Sequence, residues 1–203
     1  MKIGPRYKKA RYLGAPVFRK TQTPKYAMRA QRKAKTMGGH RHGAKSEYGK
    51  QMLEKQKARF SYGVSGKQFT KYVKIALKTQ GDNGKNLLSI LEGRLDNVVV
   101  RAGFAPTRSA GRQMISHGHI VLNGKRVTVP SCEVRPGDVL TIREGSKNKV
   151  IFANLDEELK TVQCPPWMSV DQKEKKITIT AVPSTDMSEL LFNVGAVLEF
   201  YTR

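Results

Sequence analysis

The sequence predicts an α+β fold in which helices are followed by a small antiparallel sheet, with an extended basic arm in front of both. Three observations support this fold class. Apolar residues recur at helical spacing between residues 46 and 118, which is typical of amphipathic helices. From residue 120 onward, short β-prone runs alternate with Asn-Gly and Pro-Gly turns. Lysine and arginine are densest at the N-terminus, where residues 1–60 hold 18 basic and 2 acidic residues.

The charge distribution indicates an anionic binding partner. The net charge of +22 divides into +16 over residues 1–60, +3 over 61–100, +6 over 101–150 and −3 over 151–203. A compact domain with such an excess repels itself unless an anionic partner neutralises it. Nucleic acid and an anionic membrane are the two common partners, and no stretch approaches the ~20 apolar residues that span a bilayer. The acidic end is better suited to packing or to a basic protein neighbour.

Cysteine usage and the N-terminal composition indicate the compartment. Cys132 and Cys164 are the only cysteines and match no metal-binding spacing, so a reducing compartment is expected. No apolar run follows the basic N-terminus, which argues against a secretory signal. A transit peptide would be basic and poor in acidic residues, as this N-terminus is, but it would also be rich in serine. The first serine of the chain is Ser46, which argues against a transit peptide.

Residues 1–45 are expected to form the extended arm and to order on a partner. Gly4-Pro5, Gly14-Ala15-Pro16 and Thr23-Pro24 interrupt any helical pattern. Four aromatic residues are interleaved with the basic ones, namely Tyr7, Tyr12, Phe18 and Tyr26. Two interpretations stay open, because such rings either stack on bases or pack against the adjacent domain.

Two helices are predicted next. The first starts at Ser46, whose hydroxyl suits an N-cap, and runs to Phe60 with Lys50, Lys55, Lys57 and Arg59 pointing outward. The second has Phe69, Tyr72, Val73, Ala76 and Leu77 on one face. A stripe on another face contains Lys67, Lys71, Lys74 and Lys78. Such a stripe is either a solvated face or a surface for phosphates.

The rest of the chain predicts two further helices and a sheet. One helix runs from Leu87 to near Gly103, and a shorter one runs from Thr107, a capping residue, to Gly118. A hairpin with an Asn123-Gly124 turn joins residues 120–122 to 125–129. Strands are predicted at residues 139–142 and 177–180, and burial is expected for Leu190, Leu191, Phe192, Val197, Leu198 and Phe200.

Four arginines on these two helices are the main candidates for binding an anion. Spacings of seven and of four place Arg94 with Arg101, and Arg108 with Arg112, on shared outward faces. Guanidinium groups pair bidentately with phosphate oxygens, and Lys125 and Arg126 project from the adjacent hairpin. The alternative is that some of these arginines pair inside the module with Glu92, Asp96 or Glu133.

The motifs around these arginines resemble those of the small-subunit ribosomal protein S-four family. They comprise Leu87-Leu88, Leu91-Glu92, Arg94 to Val99, Arg101, Gly103-Phe104-Ala105, Thr107-Arg108, Arg112-Gln113, His117 to Ile120, Asn123-Gly124 and Pro130-Ser131. Further matching segments are Ser46 to Gly49, Glu54 to Lys57, Tyr62-Gly63, Gln68-Phe69 and Glu199-Phe200-Tyr201. The resemblance covers most of residues 46–203 and is weakest over residues 1–40.

The resemblance implies a mostly helical domain interrupted by an α/β RNA-binding module of two helices and a small antiparallel sheet. The expected domains are the arm at 1–45, a helical domain at 46–92 completed by 184–203, and the module at 93–183 with its core at 93–155. The expected RNA-binding residues are Lys45, Tyr48, Lys55, Lys57, Lys67, Lys71, Arg94, Arg101, Arg108, Arg112, Gln113, His117, Lys125 and Arg126.

The resemblance also implies the partners. They are small-subunit ribosomal RNA, ribosomal protein S-five and other small-subunit proteins. The resemblance implies that the protein binds the RNA early and thereby nucleates assembly of the subunit body. The interface with S-five affects decoding accuracy, and the channel through which messenger RNA enters lies nearby. Neither a membrane nor a small-molecule substrate is expected, and a cytoplasmic ribosome is expected rather than an organellar one.

No cofactor or metal is expected. Many family members hold a zinc ion with four cysteines near the start, whereas this chain has no cysteine before Cys132. Zinc binding is therefore not carried over, and four histidines without cysteines or clustered acids make a poor substitute. The sequence is consequently expected to belong to the bacterial type of the family that lacks the N-terminal zinc site.

Two alternatives share the module. Pseudouridine synthases carry a Gly-Arg-Leu-Asp motif with a nucleophilic Asp, and Gly93-Arg94-Leu95-Asp96 matches it. The motif lies in a helix that opens the module, no threonine follows it as in those enzymes, and little chain remains for a catalytic domain. No enzyme activity is therefore expected. A free-standing RNA-binding or stress-response protein is the second alternative, against which the long match outside residues 93–150 argues.

Overall fold

The computed structural model describes residues 3–36 and 46–202 and confirms the α+β class. The helices are α1 Arg6–Leu13, α2 Pro24–Thr36, α3 Glu47–Ser61, α4 Gly66–Lys78, α5 Asn83–Glu92, α6 Leu95–Arg101, α7 Arg108–Ser116, α8 Leu155–Thr161 and α9 Val194–Thr202. The strands are β1 Ile120–Leu122, β2 Lys125–Arg126, β3 Val139–Ile142, β4 Met168–Asp171 and β5 Lys176–Ile179. Short 3₁₀ turns occur at Arg19–Thr21, Glu144–Ser146, Val150–Phe152 and Met187–Glu189.

The chain divides into two compact units. The first comprises residues 1–78 together with 186–203, and the second comprises residues 79–185. The first unit is thus built from two separate stretches of the chain. The domain boundaries expected from the sequence after residues 45, 92 and 183 stay predictions.

The extended arm expected over residues 1–45 is wrong where the structure describes it, because residues 6–13 and 24–36 are helical. Gly14 does end α1, with a left-handed φ of 67°. Pro24, however, begins α2 instead of interrupting it, since the first helical position needs no N–H donor. A small core supplies the order: it contains Ala10, Leu13, Val17, Phe18, Leu53 and Phe60.

Helices α3 and α4 follow the sequence pattern closely. Ser46 Oγ accepts a hydrogen bond from the backbone N–H of Gly49 at 3.2 Å and caps α3 as predicted. In α4, Phe69, Val73 and Ala76 are fully buried, and the lysine stripe is exposed. The amphipathic pattern therefore predicted which face of α4 enters the core.

Helix α9 packs against α3 and closes the first unit. Gln51 Nε2 in α3 donates to Glu199 Oε2 in α9 at 3.0 Å. The predicted burial of the C-terminal apolar residues is confirmed for Phe192 and Val197, whereas it is wrong for Leu191, which is 40 % exposed. The acidic residue and the apolar face of α9 thus both serve packing within this unit.

The second unit contains the sheet, with strand order β2-β1-β3-β5-β4 and antiparallel pairing throughout. Asn123 and Gly124 both have positive φ, 49° and 77°, which fits the two-residue hairpin turn predicted from the sequence. The sheet and helices α6, α7 and α8 share one core, whose fully buried members include Leu95, Val98, Val99, Ile115, Ile120 and Ile177.

The single helix expected from Leu87 to near Gly103 is divided into α5 and α6. The chain at Gly93 and Arg94 leaves the helix, and Arg94 forms an antiparallel β-bridge with Glu133. The N–H of Leu95 donates to Cys132 O at 2.8 Å, and the N–H of Val134 donates to Gly93 O at 2.8 Å. These bonds replace helical ones at the break and set the direction of α6.

We expect the buried face of α4 to dominate the stability of the first unit. Phe69 is fully buried with its ring centroid 6.2 Å from that of Tyr201, so Phe69→Ala should lower the free energy of unfolding by about 3–5 kcal/mol. Ile75 lies on the same helix but is 41 % exposed, so Ile75→Ala should change it by less than about 0.5 kcal/mol. Urea unfolding monitored by circular dichroism compares the two variants, and equal losses would contradict the assignment.

Candidate nucleic-acid interface

Asp96, at the start of α6, binds two guanidinium groups at once. Arg94 Nε donates to Asp96 Oδ1 at 2.9 Å, and Arg94 Nη2 donates to Oδ2 at 2.7 Å. From α7, Arg112 Nε donates to the same Oδ2 at 2.9 Å. The side chain of Asp96 is 1 % exposed and that of Arg94 is 4 % exposed. Asp96 therefore links the break before α6 to the neighbouring helix.

Glu92, the last residue of α5, organises a second group of side chains. Arg101 donates to it bidentately, with Nε and Nη2 each 3.0 Å from a carboxylate oxygen. Asn97 Nδ2 donates to Glu92 Oε2 at 2.6 Å, and Arg108 Nε donates to Asn97 Oδ1 at 2.7 Å. Glu92 is fully buried, so its charge is matched by Arg101 inside the protein.

The two buried carboxylates fix the geometry of a convergent arginine surface. Burying an unpaired carboxylate costs roughly several kcal/mol of free energy. Bidentate pairing with a guanidinium group offsets that cost only when the hydrogen-bond geometry is good. Arg101 and Arg112 donate to these carboxylates, and their side chains remain 29 % exposed. The group comprises four arginines, of which Arg94, Arg101 and Arg112 donate to Glu92 or Asp96. It can bind an anion with guanidinium groups that are already oriented.

The expected outward orientation of Arg94 is wrong. Arg94 is the N-cap residue of α6 with an extended backbone, and its side chain turns inward to Asp96. The helical spacing that placed Arg94 beside Arg101 does not apply across the break at Gly93. The alternative of internal pairing holds for Arg94 and Arg112 with Asp96 and for Arg101 with Glu92. Arg101, Arg108 and Arg112 are partly exposed.

The end of α7 and the hairpin bring further predicted residues together. Gln113 and His117 are exposed on α7 and just after it, and Lys125 and Arg126 are exposed in β2. Arg126 Nη2 donates to His117 O at 3.3 Å. Gly118, at a φ of 70°, leaves the space that the Arg126 guanidinium fills, and a Cβ there would collide with it. The left-handed backbone is what favours glycine here, because the exposed Arg126 side chain can move away from a Cβ.

Two basic residues that sequence reasoning missed lie at the same edge. Arg143 N donates to His119 O at 2.9 Å, and His119 Nδ1 is 2.9 Å from the hydroxyl of Ser146. Burial lowers the pKa of His119 below its ordinary value, and the positive charges of Lys149, His117, Arg126 and Arg143 lower it further. Arg143 and Lys149 therefore add to a positive field that no local sequence signal marks.

The predicted residues of the first unit divide into exposed and internal ones. Tyr48, Lys67 and Lys71 are exposed, and Lys45 lies outside the described residues. Lys55 and Lys57, which were expected to point outward, are only partly exposed, and each contacts a neighbouring side chain. Lys55 Nζ lies 4.1 Å from the ring centroid of Phe200, and burial lowers its pKa. Lys57 Nζ pairs with Glu54 at 2.6 Å, with both side chains 19 % exposed.

No helix in residues 3–36 or 46–202 is long and apolar enough to cross a membrane. Within those same ranges, no group of three or more His, Cys, Asp or Glu side chains is arranged to hold a metal ion. Cys132 and Cys164 are free thiols.

Comparison with known proteins assigns the chain to a family. Residues 1–92 match the family described as ribosomal protein S4/S9 N-terminal domain, and residues 93–140 match the S4 domain. Small ribosomal subunit protein uS4 of Borreliella burgdorferi is 42 % identical over 200 residues, which cover 97 % of this chain and 95 % of that protein. The chain belongs to the uS4 family. The uS4 protein of Acinetobacter baylyi is 38 % identical over 203 residues, 99 % of this chain and 98 % of that protein.

The two family matches meet at the break between α5 and α6. Residue 92 ends the first match and residue 93 begins the second. Glu92 on one side binds Asn97 and Arg101 on the other. In this uS4 protein, the arginine surface therefore depends on a carboxylate that lies just outside the S4 domain match.

We expect Asp96→Asn to destabilise the second unit by about 3 kcal/mol, because it removes the buried negative charge to which Arg94 and Arg112 both donate. Glu133→Gln is the matched control, since it removes an exposed carboxylate from the strand segment that pairs with Arg94. Chemical unfolding measures both. Equal unfolding midpoints for Asp96→Asn and Glu133→Gln would show that the buried pair contributes nothing.

The lowered pKa of His119 predicts a loss of stability in acid. The unfolded chain binds a proton near the ordinary histidine pKa of about 6.5, before the folded chain does. The free energy of unfolding should therefore fall as the pH decreases from about 7 to about 5. His119→Gln should reduce this pH dependence, as measured by thermal unfolding across the range. An unchanged slope in the variant would assign the acid sensitivity to other groups.

Proposed function

We propose that this uS4 protein is a structural constituent of the small ribosomal subunit that binds small-subunit ribosomal RNA directly. One observation carries the proposal beyond family membership. Arg101, Arg108 and Arg112 are held in place by Glu92, Asn97 and Asp96, while each residue remains partly exposed. Such a surface fits the phosphate backbone of a folded RNA, whose major groove is too narrow to be read by a helix.

The proposed contact residues follow from orientation. In the second unit they are Arg101, Arg108, Arg112, Gln113, His117, Lys125 and Arg126, to which the structure adds Arg143 and Lys149. In the first unit they are Tyr48, Lys67 and Lys71. Arg94, Lys55 and Lys57 are left out, because their side chains stabilise the protein from within.

The family resemblance supports a finer proposal about the ribosome. The protein binds the RNA early and nucleates assembly of the subunit body. It contacts ribosomal protein S-five, at an interface that affects accuracy, and lies near the channel through which messenger RNA enters. The net charge of −3 over residues 151–203 suits a protein neighbour better than phosphates, which supports a protein contact in that part of the chain.

The geometry around Asp96 supports a scaffold role and not that of a nucleophile. Both carboxylate oxygens accept hydrogen bonds from guanidinium groups, and the side chain is 1 % exposed. A nucleophilic aspartate has to reach its substrate with a free oxygen. We therefore propose a protein without enzyme activity that remains with ribosomes. Its recovery in the supernatant after ribosomes are pelleted at moderate salt would contradict the ribosomal role.

The salt dependence of RNA binding tests the contact residues. Each lost phosphate contact should make the slope of log affinity against log salt shallower by about 0.9 on a duplex. The double variant Lys125→Gln with Lys149→Gln should therefore weaken binding to small-subunit ribosomal RNA. It should also make the slope shallower by about twice the value for one contact. Both lysines are exposed, so folding should be unaffected. Arg112 is less suitable for this test, because its removal would also unbalance Asp96.

The control removes the same charge elsewhere. Lys85, near the start of α5, and Lys173, in the turn between β4 and β5, are exposed and outside the proposed contact set. Lys85→Gln with Lys173→Gln should leave the slope unchanged in filter-binding titrations. If both double variants flatten the slope equally, binding depends on net charge alone and the proposed surface is wrong.

A further inference from the structure

Helices α1 and α2 line an open cavity of about 330 Å³ within the first unit. Two tyrosines, Tyr7 and Tyr26, and three basic residues, Arg11, Lys25 and Arg29, supply most of its lining. The volume falls at the lower end of the range of small-ligand sites, about 300–1,000 Å³. The residue types are those that hold a flat ring beside a negative charge.

The two tyrosine rings are stacked. Their centroids are 5.8 Å apart and their planes are inclined by 28°. Tyr26 is partly buried against the small core of this segment, so it provides a fixed support for Tyr7. Tyr7 is 51 % exposed, which leaves ring surface available for another flat group. Arg11 Nε donates to Tyr7 O at 3.3 Å, which ties the basic residue to the same turn of α1.

The segment that forms the cavity contains no acidic residue to balance the positive charges around it. Residues 3–36 contain eleven lysines and arginines and no aspartate or glutamate, and the first acidic residue of the chain is Glu47. Arg11, Lys25 and Arg29 are all exposed. An anionic group from outside the segment would therefore relieve repulsion between like charges as well as gain direct contacts.

We propose that this cavity binds one unstacked nucleotide of an RNA, with its base stacked on Tyr7 and its phosphates near Arg11, Lys25 and Arg29. Proteins recognise splayed bases in loops and bulges by stacking them on aromatic rings beside basic side chains. The inference rests on the proposed RNA-binding function but concerns a separate site. An acidic peptide would satisfy the three cations without needing the stacked tyrosines, which makes stacking the property to test.

Substitutions at Tyr7 isolate the stacking contribution. Loss of one base–aromatic stack weakens binding by about 5- to 150-fold. Tyr7→Ala should therefore reduce affinity for small-subunit ribosomal RNA by at least about 5-fold. Tyr7→Phe keeps the ring and should bind like the wild type. Tyr12→Ala is the matched control, because Tyr12 lies on the same helix, is 66 % exposed and does not line the cavity.

The salt slope separates the ring from the charges. Tyr7→Ala should leave the slope unchanged, whereas Arg29→Gln should flatten it by about 0.7–0.9. Circular dichroism establishes whether the variants keep the wild-type helix content. If Tyr7→Ala and Tyr12→Ala bind equally well, the nucleotide site is wrong, although the proposed RNA-binding function stands as long as the wild type binds. Failure of the wild type to bind at all would overturn the proposed function instead.

A direct measurement uses the full chain with ¹³C-labelled tyrosine and a short oligoadenylate as the probe. Stacking of adenine should shift the ring signals of Tyr7 upfield, and inorganic polyphosphate at matched charge should not. Tyr7→Phe identifies the signal. Equal shifts with both probes would mean that the cavity binds phosphate without a base, and no shift with oligoadenylate would mean that it binds neither. Either result overturns the proposal.

Discussion

The burial of two carboxylates between α5, α6 and α7 is the constraint on which the second unit depends. Glu92 and Asp96 are removed from water, and each requires positive charge within hydrogen-bonding distance. The arginines that supply it come from the break before α6, from α6 itself and from α7. Side-chain pairing thus joins the helices that the shared apolar core packs together. Without these carboxylates, the same arginines would repel one another.

This arrangement gives the arginines two roles that cannot be separated by deletion. Arg101 and Arg112 each neutralise a buried charge, and their side chains remain partly exposed. For the proposed contact with RNA, their order in the free protein would lower the entropic cost of binding, which is about 0.5–1.5 kcal/mol for each long side chain that must otherwise be immobilised. Lys125 and Lys149 are exposed and, in the proposed interface, would act through their charge alone.

Local patterns predicted the fold well where neighbours in sequence decide it. The amphipathic face of α4, the Ser46 and Thr107 caps and the Asn123-Gly124 turn all follow from residues within one or two turns. The break at Gly93 was missed because apolar periodicity continues through it from Leu91 to Leu95, both of which are fully buried. Its cause lies in pairing with residues 130–134, which are distant in sequence.

The candidate site was predicted in composition but less well in orientation. The arginines of α6 and α7 were identified from their spacing, whereas the inward turn of Arg94 depends on the same distant pairing. Arg143 and Lys149 meet His117 and Arg126 only through the sheet, so no spacing rule connects them. The order of residues 6–36 was missed because Leu13, Val17 and Phe18 are too few to show periodicity and find their partners in α3.

The absence of acidic residues from this segment has a physiological consequence. Salt screens the repulsion between its eleven cations and so steadies the free segment, while the same salt weakens its attraction to phosphates. Ionic strength is thus expected to act with opposite signs on the folding of this segment and on the binding of RNA proposed for it.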